Sequence, residues 1–378
     1  MPWRTGATVS DIRRAFLRDH AQGVPLAVLM SAYDIKKSAA YALLARARTM
    51  SIEEAVAIRS RAPVRRPTKH ADVVTERVLA LCERYEGFGP KKIAAKFCAQ
   101  FDDVRPCVSS VASIMKAHGL TRPSTTTKFT HAPPKPRAAA DAPNDVWAVD
   151  HKGKLKKSKT EPLTVVDVYS RKWLCCRPLT DKSYEDTRLA FEALFEENGL
   201  PRTIRVDAGQ PWASTSGPLR LSQLSVWWMS LGINIEVVAC PQDNGHVERL
   251  HRTIKEMDEY DVDVRRYFEA QRAFYNDERP HEGIGQRTPS ELYVPSPRRA
   301  VARREVDYMN PAGLACDEVR SIVGNGDIHL GGGRVFISSA LISYRVGLRA
   351  TSSTSTFDVY LFEHRIGTIE DRCFKPIR

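Results

Sequence analysis

The runs VWAVDHKGKL (146–155), LTVVDVYS (163–170) and KWLCCRPL (172–179) are followed by SYEDTRLAFEALFEENG (183–199), TIRVD (203–207), LSQLSVWWMSLG (221–232) and INIEVVA (233–239). The first three runs are β-branched and short, so they read as consecutive strands. After them, helical spacing of apolar residues alternates with further strand-like runs. Three strands followed by helix, strand, helix, strand describe a mixed α/β sheet. A long helix is expected from near His246, and another over 262–277.

Within this frame three acids stand out by position. Asp150 closes the first strand, Asp207 closes the fourth, and Glu248 falls in the first turn of the helix after the fifth. Strand ends of an open α/β sheet converge on one edge, where sites form. Two carboxylates about 4 Å apart repel by roughly 4 kcal/mol at an effective dielectric near 20, so a convergent set requires a neutralising partner. Hard divalent cations fill that role, and two of them can clamp the attacking and leaving oxygens of a phosphoryl displacement. On the Glu248 helix, Val247, Leu250, Ile254 and Met257 form one stripe. Glu248, His251 or Arg252, and Lys255 form the opposite one, suited to backbone phosphates. Taken singly, each acid also fits an ordinary amphipathic surface helix or strand end. Asp167 reads as a structural acid, Asp243 as a turn residue, and Trp147, Trp227 and Trp228 as core.

Outward from the sheet, both flanks are different in kind. Segment 8–47 reads as three short helices, and 71–119 repeats the plan with Gly119 at a helix stop. Each suggests a helix-turn-helix module, although three-helix bundles without a DNA role look the same. In such a module the N-terminal polar residues of the second helix meet base edges. The candidates are Lys36, Lys37, Ser38 and Tyr41 in the first, and Ser109, Ser110 and Lys116 in the second. Residues 121–143 are Pro-, Thr- and Ala-rich and read as a linker. Runs at turn-punctuated spacing across 318–372 suggest a small C-terminal β-barrel. The expected boundaries are therefore 1–60, 70–120, 121–143, 144–293 and 310–378.

The 378 residues carry a net charge of +12. Residues 1–143 hold 24 Lys and Arg against 12 Asp and Glu, so the first third carries the whole excess. Residues 294–378 add 12 against 9, which leaves the middle mildly acidic. Basic flanks favour a polyanionic partner such as DNA through phosphate neutralisation. The eight cysteines show no C-x-x-C pair and no zinc-finger partners, so neither a disulfide framework nor a zinc site is expected. No run approaches the roughly 18 apolar residues of a membrane span, and the start lacks an apolar secretion segment. A cytoplasmic location with no membrane partner is the expectation.

Four stretches taken together, DVWAVD (145–150), IRVDAGQPWAS (204–214), PQDNGHVERLHRTIKEM (241–257) and AFYNDERPHEGIGQRTPSELY (273–293), resemble the integrase-type core of bacterial insertion-sequence transposases. The resemblance is dense over 144–293 and looser outside it. It implies a ribonuclease-H-like fold with Asp150, Asp207 and Glu248 as the catalytic triad, binding two Mg²⁺ or Mn²⁺ ions. It also implies that Arg249, His251, Arg252 and Lys255 face double-stranded DNA, both element terminal repeats and target. Asn276, Arg279, Pro280 and His281 match a motif taken as structural. A homo-oligomer in a bacterial cytoplasm, associated with the nucleoid, follows from the same likeness. One departure is Ala208, where the family usually has Asn after the second acid. That change keeps two alternatives open: a catalytically impaired or domesticated DNA-binding protein, and a plain metal-dependent nuclease.

Overall fold

A computed structural model describes residues 8–58, 72–121, 138, 140–155, 158–214, 217–238, 244–255, 263–299, 304–351 and 355–377, the side chains of 252–255 excepted. The chain divides into two compact units, Met1–His70 and Ala71–Arg378. Among the described residues no helix is long and apolar enough to cross a membrane.

The first unit contains α1 (Val9–Ala21), α2 (Leu26–Ala32), α3 (Lys37–Thr49) and α4 (Ile52–Val56). Thr8 and Ser51 start α1 and α4 with capping boxes closed by Asp11 and Glu54, which satisfies end N–H groups that helix geometry leaves unpaired. Phe16, Leu29, Ala40, Leu43, Ala55 and Val56 form its core. The fourth helix was not anticipated. Its five residues are too few for a visible period, and its Ala55 and Val56 are buried only because the other three helices cover them.

The second unit begins with α5 (Asp72–Arg84), α6 (Pro90–Gln100) and α7 (Val108–Ala117) around Val78, Ile93, Phe97 and Val111. Gly119, at φ +70°, stops α7: Leu120 N–H donates to Met115 O and Gly119 N–H to Lys116 O. Of the expected linker, only Thr121, Ala138 and 140–143 lie within the described residues.

The sheet follows with order β3-β2-β1-β4-β5. β1 (Val146–His151), β2 (Glu161–Asp167) and β3 (Trp173–Leu179) form an antiparallel meander, while β4 (Thr203–Asp207) and β5 (Asn234–Val238) run parallel to β1. Period-two alternation sends Trp147, Val149, Ile204 and Val206 to one face, under α8 (Tyr184–Asn198) and α9 (Gln223–Ser230). Val146, Ala148, Val166 and Trp173 face the other side, under α10 (Gly245–Lys255) and α11 (Val264–Ala273). Trp147, Trp227 and Trp228 are core residues, as their size suggests.

The helix expected over 262–277 does not run through unbroken. After α11 the backbone widens into a π-turn, Phe274–Glu278. This turn carries Asn276 inward, where its Oδ1 accepts from Trp173 N–H at 2.8 Å and its Nδ2 donates to Trp173 O at 2.9 Å. The side chain thus completes the open edge of β3 as a neighbouring strand would. Short α12 (Pro289–Leu292) follows.

The C-terminal β-barrel is corrected by the structure. β6 (Glu318–Ser321), β9 (Arg345–Ala350), β10 (Thr356–Leu361), β11 (His364–Glu370) and β12 (Cys373–Pro376) form an open sheet in the order β12-β11-β10-β9-β6. β7 (Asp327–Leu330) and β8 (Gly333–Phe336) form a separate hairpin. The hairpin packs beside both four-residue edge strands, β6 and β12, so one core around Ile328, Val335, Leu348 and Ile366 is covered without a closed ladder. That core continues onto Leu221 and Val226, which seats the small domain against the α9 side of the main sheet.

Replacing Asn276 by Ala strands a buried N–H and a buried C=O of Trp173. At about 1–3 kcal/mol for each of the two unsatisfied groups, the expected loss is about 2–6 kcal/mol in urea unfolding. A loss below about 0.5 kcal/mol would show that the bridge does not hold the edge.

Candidate active site

The same alternation that builds the two cores aims the acids. Asp150 has the parity of Val146 and Ala148, and Asp207 that of the buried Arg205, so both belong to the α10 face. β1 and β4 pair in parallel with Ala148 opposite Arg205. Carried two residues further, that register sets Asp150 beside Asp207 at a strand spacing of about 4.8 Å. Glu248 enters from above, in the first turn of α10, whose Val247 and Leu250 are fully buried against this face. Asn244 holds the start of that helix to β1, donating from Nδ2 to Val149 O at 3.1 Å.

The surroundings of Asp150 are specific. Thr164, its cross-strand partner, donates to Asp150 O at 2.8 Å and its hydroxyl also meets His251 Nε2 at 2.7 Å. The other ring nitrogen of His251 stands 3.6 Å from Asp150 Oδ2. Sequence reading put His251 among the DNA-facing cations, but the structure turns it inward, where burial, and then the charge of Lys152, pushes its pKa down to about 4. The ring packs between the Thr164 hydroxyl and the Asp150 carboxyl. His151 is likewise buried and pushed down to about 3, with Trp212 stacked at 4.7 Å and no hydrogen-bond partner on either ring nitrogen.

Asp150 itself is pushed up to about 7. Burial is the largest cause and the charge of Asp207 the next, with Glu248 adding to it. The backbone N–H of His151 and the charge of Lys182 pull the other way. The three acids therefore share one electrostatic environment. Oδ1 of Asp207 is buried and has no hydrogen-bond partner among the described residues. An orphaned carboxylate oxygen beside an acid driven toward neutrality fits a hard divalent cation, which would satisfy the first and release the proton of the second. Among the described residues no three His, Cys, Asp or Glu side chains already stand at metal-holding distances. Drawing uncompensated carboxylates that close costs repulsion that only a cation repays.

The remaining candidates are spread out. Arg249 is exposed beside Glu248, and the side chains of Arg252 and Lys255 lie outside the described residues, as do Asp243 and Met257. Lys36, Lys37, Ser38 and Tyr41 are all exposed at the start of α3. On α7, Ser109 and Lys116 are exposed and Ser110 is half-buried. Asp167 is fully buried and structural, its Oδ1 accepting from Ser170 N–H and Oγ and its Oδ2 from Asn144 N–H. Lys182, which acts on Asp150 from the loop after β3 and pairs with Glu161 at 3.1 Å, carried no signal in the sequence. Asn244 could have been found, because it stands immediately before the Gly245 that opens α10.

Residues 232–289, which hold β5, α10, α11 and the π-turn, match the family described as the integrase core domain. Among solved structures the chain is similar to the HTLV-2 integrase catalytic core domain in complex with magnesium in its dimeric form. The identity is 21%, covering 41% of this chain and 100% of that one, at a TM-score of 0.33. It is also similar to the simian T-cell lymphotropic virus intasome in complex with PP2A regulatory subunit B56 gamma, at 14% identity over 76% of this chain and 96% of that one, with a TM-score of 0.37. The likeness to the integrase core domain family thus covers residues 232–289, from the start of β5 to the start of α12.

Because Asp150 titrates near 7 in the fold and near 4 unfolded, its protonated form favours folding. That contribution is fully present below about pH 4 and is lost as pH rises through about 7. In metal-free protein Asp150→Asn is expected to raise the melting temperature at pH 8, by less at pH 5, and to leave it nearly unchanged below about pH 4. Carboxyl-carbon NMR should show the wild-type titration moving to lower pH on addition of Mn²⁺-free Mg²⁺. A midpoint near 4, indifferent to the metal, would take Asp150 out of the pocket.

Proposed function

We propose that the chain is a DNA transposase: a metal-dependent polynucleotidyl transferase that nicks element ends and joins the exposed 3′-OH to target DNA. What supports this reading is the buried Asp150, driven toward neutrality by burial and by the charges of Asp207 and Glu248, together with the match of residues 232–289 to the integrase core domain. These three residues hold Mg²⁺ or Mn²⁺, two ions per site. When bound, the metal neutralises the acids, activates the attacking hydroxyl and stabilises the charge that develops on the phosphodiester.

The chain's own residues then have distinct tasks. His251 and Thr164 fix Asp150 from the helix and from the neighbouring strand. Asn244 ties α10 to β1, so Glu248 keeps its position relative to both aspartates. Arg249, Arg252 and Lys255 hold backbone phosphates along α10. Lys36, Lys37, Ser38 and Tyr41 read bases from the first helix-turn-helix module, and Ser109, Ser110 and Lys116 from the second. Such contacts set sequence preference, whereas phosphate contacts set position. Two element ends are brought together by more than one copy of the chain.

A strand-transfer assay with labelled element-end duplex and Mg²⁺ tests this directly. Joined products are expected; nicks alone would identify a plain nuclease, and a gel shift without products a DNA-binding protein that has lost its chemistry. Asp207→Asn should lower joining by about 100-fold or more, equivalent to about 2.7 kcal/mol of transition-state stabilisation, with duplex binding retained. Unchanged joining in that variant would remove Asp207 from the site.

A further inference from the structure

On the other side of α10 from the acids lies a second concavity, of about 250 Å³. Four cations line it: Lys92 from α6, Arg171 from the turn between β2 and β3, Arg249 from α10, and Arg279 just after the π-turn. One carboxylate, Glu282, shares the lining, and it already pairs with Lys91. The balance is strongly positive in a partly desolvated space. Burial, and then the charge of Arg279, pushes the Lys92 ammonium down to about 8. Burial also lowers Arg171, with Arg249 adding repulsion. His281, pushed down to about 3 by burial first, lines the same space and keeps a buried Nε2 with no hydrogen-bond partner among the described residues.

Like charges gathered in a half-buried cavity favour an anion there, and Arg171 Nη1 already meets the His246 ring on the same wall. The donors have the character of a phosphate site: guanidinium forks, an ammonium and an unused ring nitrogen. The location adds meaning. Glu248 and Arg249 are consecutive on α10 and diverge around its axis, so nucleic acid crossing this turn meets the acids with one part and the cations with another. The cavity also joins two domains, since Lys92 belongs to the second helical module. That module already touches the core through Phe88 against Phe274 at 5.9 Å and Lys96 with Glu278 at 2.5 Å.

We propose that this cavity takes one phosphate of the DNA backbone and that its occupation pins the second helical module to the catalytic core. This rests on DNA being the substrate, as proposed above, and it assigns Lys92, Arg171, Arg279 and His281 to a binding site that is separate from the carboxylates. The contact is independent of sequence, because it reads only a phosphate.

The test measures duplex affinity of the full chain against salt concentration. Each lost phosphate contact lowers the slope of log K against log salt by about 0.9. The double variant Lys92→Gln, Arg171→Gln is expected to lose about that much on any duplex sequence, whereas Lys92→Arg keeps the slope. Arg188→Gln, on α8 under the opposite face, matches Lys92→Gln alone in charge and also keeps the slope. Inorganic phosphate should raise the melting temperature of the unmodified protein and not that of the double variant. If the double variant does not fold, Lys92→Gln alone supplies the slope. An unchanged slope in a folded variant overturns the proposal, even if inorganic phosphate stabilises the wild type, because the cavity would then be a small-anion site. Joining by the unmodified protein is scored separately: failure of this cavity leaves joining intact, whereas failure of the transposase reading abolishes joining at every slope.

Discussion

The charges of Asp207 and Glu248 acting on the buried Asp150 are the constraint to which this part of the core is arranged. A protein can aim acids at one face only if their backbones are held by something stronger than the force that separates them. Here two neighbouring parallel strands and the first turn of a packed helix supply that hold. β1 is the central strand, bonded on both sides, and its residues before Asp150 are fully buried. Hydrophobic burial of this size contributes about 25 cal/mol for each Å² of apolar surface, enough to outweigh several kcal/mol of local repulsion.

Supporting polar contacts explain how that hold is passed to side chains. Thr164 and His251 fix Asp150 from two elements, and Asn244 joins the helix start to the strand beneath it. Asn276 performs the comparable task at the far edge of the sheet, where it seals β3 and allows the π-turn to present Phe274 to the second helical module. The motif at 276–281 therefore has two parts. Asn276 serves the fold, while Arg279 and His281 line the cationic cavity.

Helix α10 divides two kinds of electrostatics. Its buried stripe of Val247 and Leu250 fixes its rotation, which directs Glu248 toward the aspartates and Arg249 toward the cations. A small change in that rotation would move both sites at once. Burial of His251 on the same helix lowers its pKa, so the ring beside Asp150 adds little positive charge there.

The order of strands and helices from 146 to 255 was legible in the sequence, because period-two and period-3.6 apolar spacing is a direct record of which face is buried. The acids at the ends of β1 and β4 were legible for the same reason, as was the structural character of Asp167. Other features needed the assembled fold. Helix α4 is stabilised by neighbours and not by its own pattern. The orientation of His251 depends on the exact pitch of α10, and the influence of Lys182 on Asp150 arises between segments far apart in the chain. The open sheet of the C-terminal domain is a further case: local alternation identifies strands but says nothing of whether the first and last meet. By itself, then, the amino-acid sequence determined the elements and their buried faces, which depend on local spacing. Only the tertiary structure decided which charges became neighbours, because electrostatic coupling depends on distance through space and not along the chain.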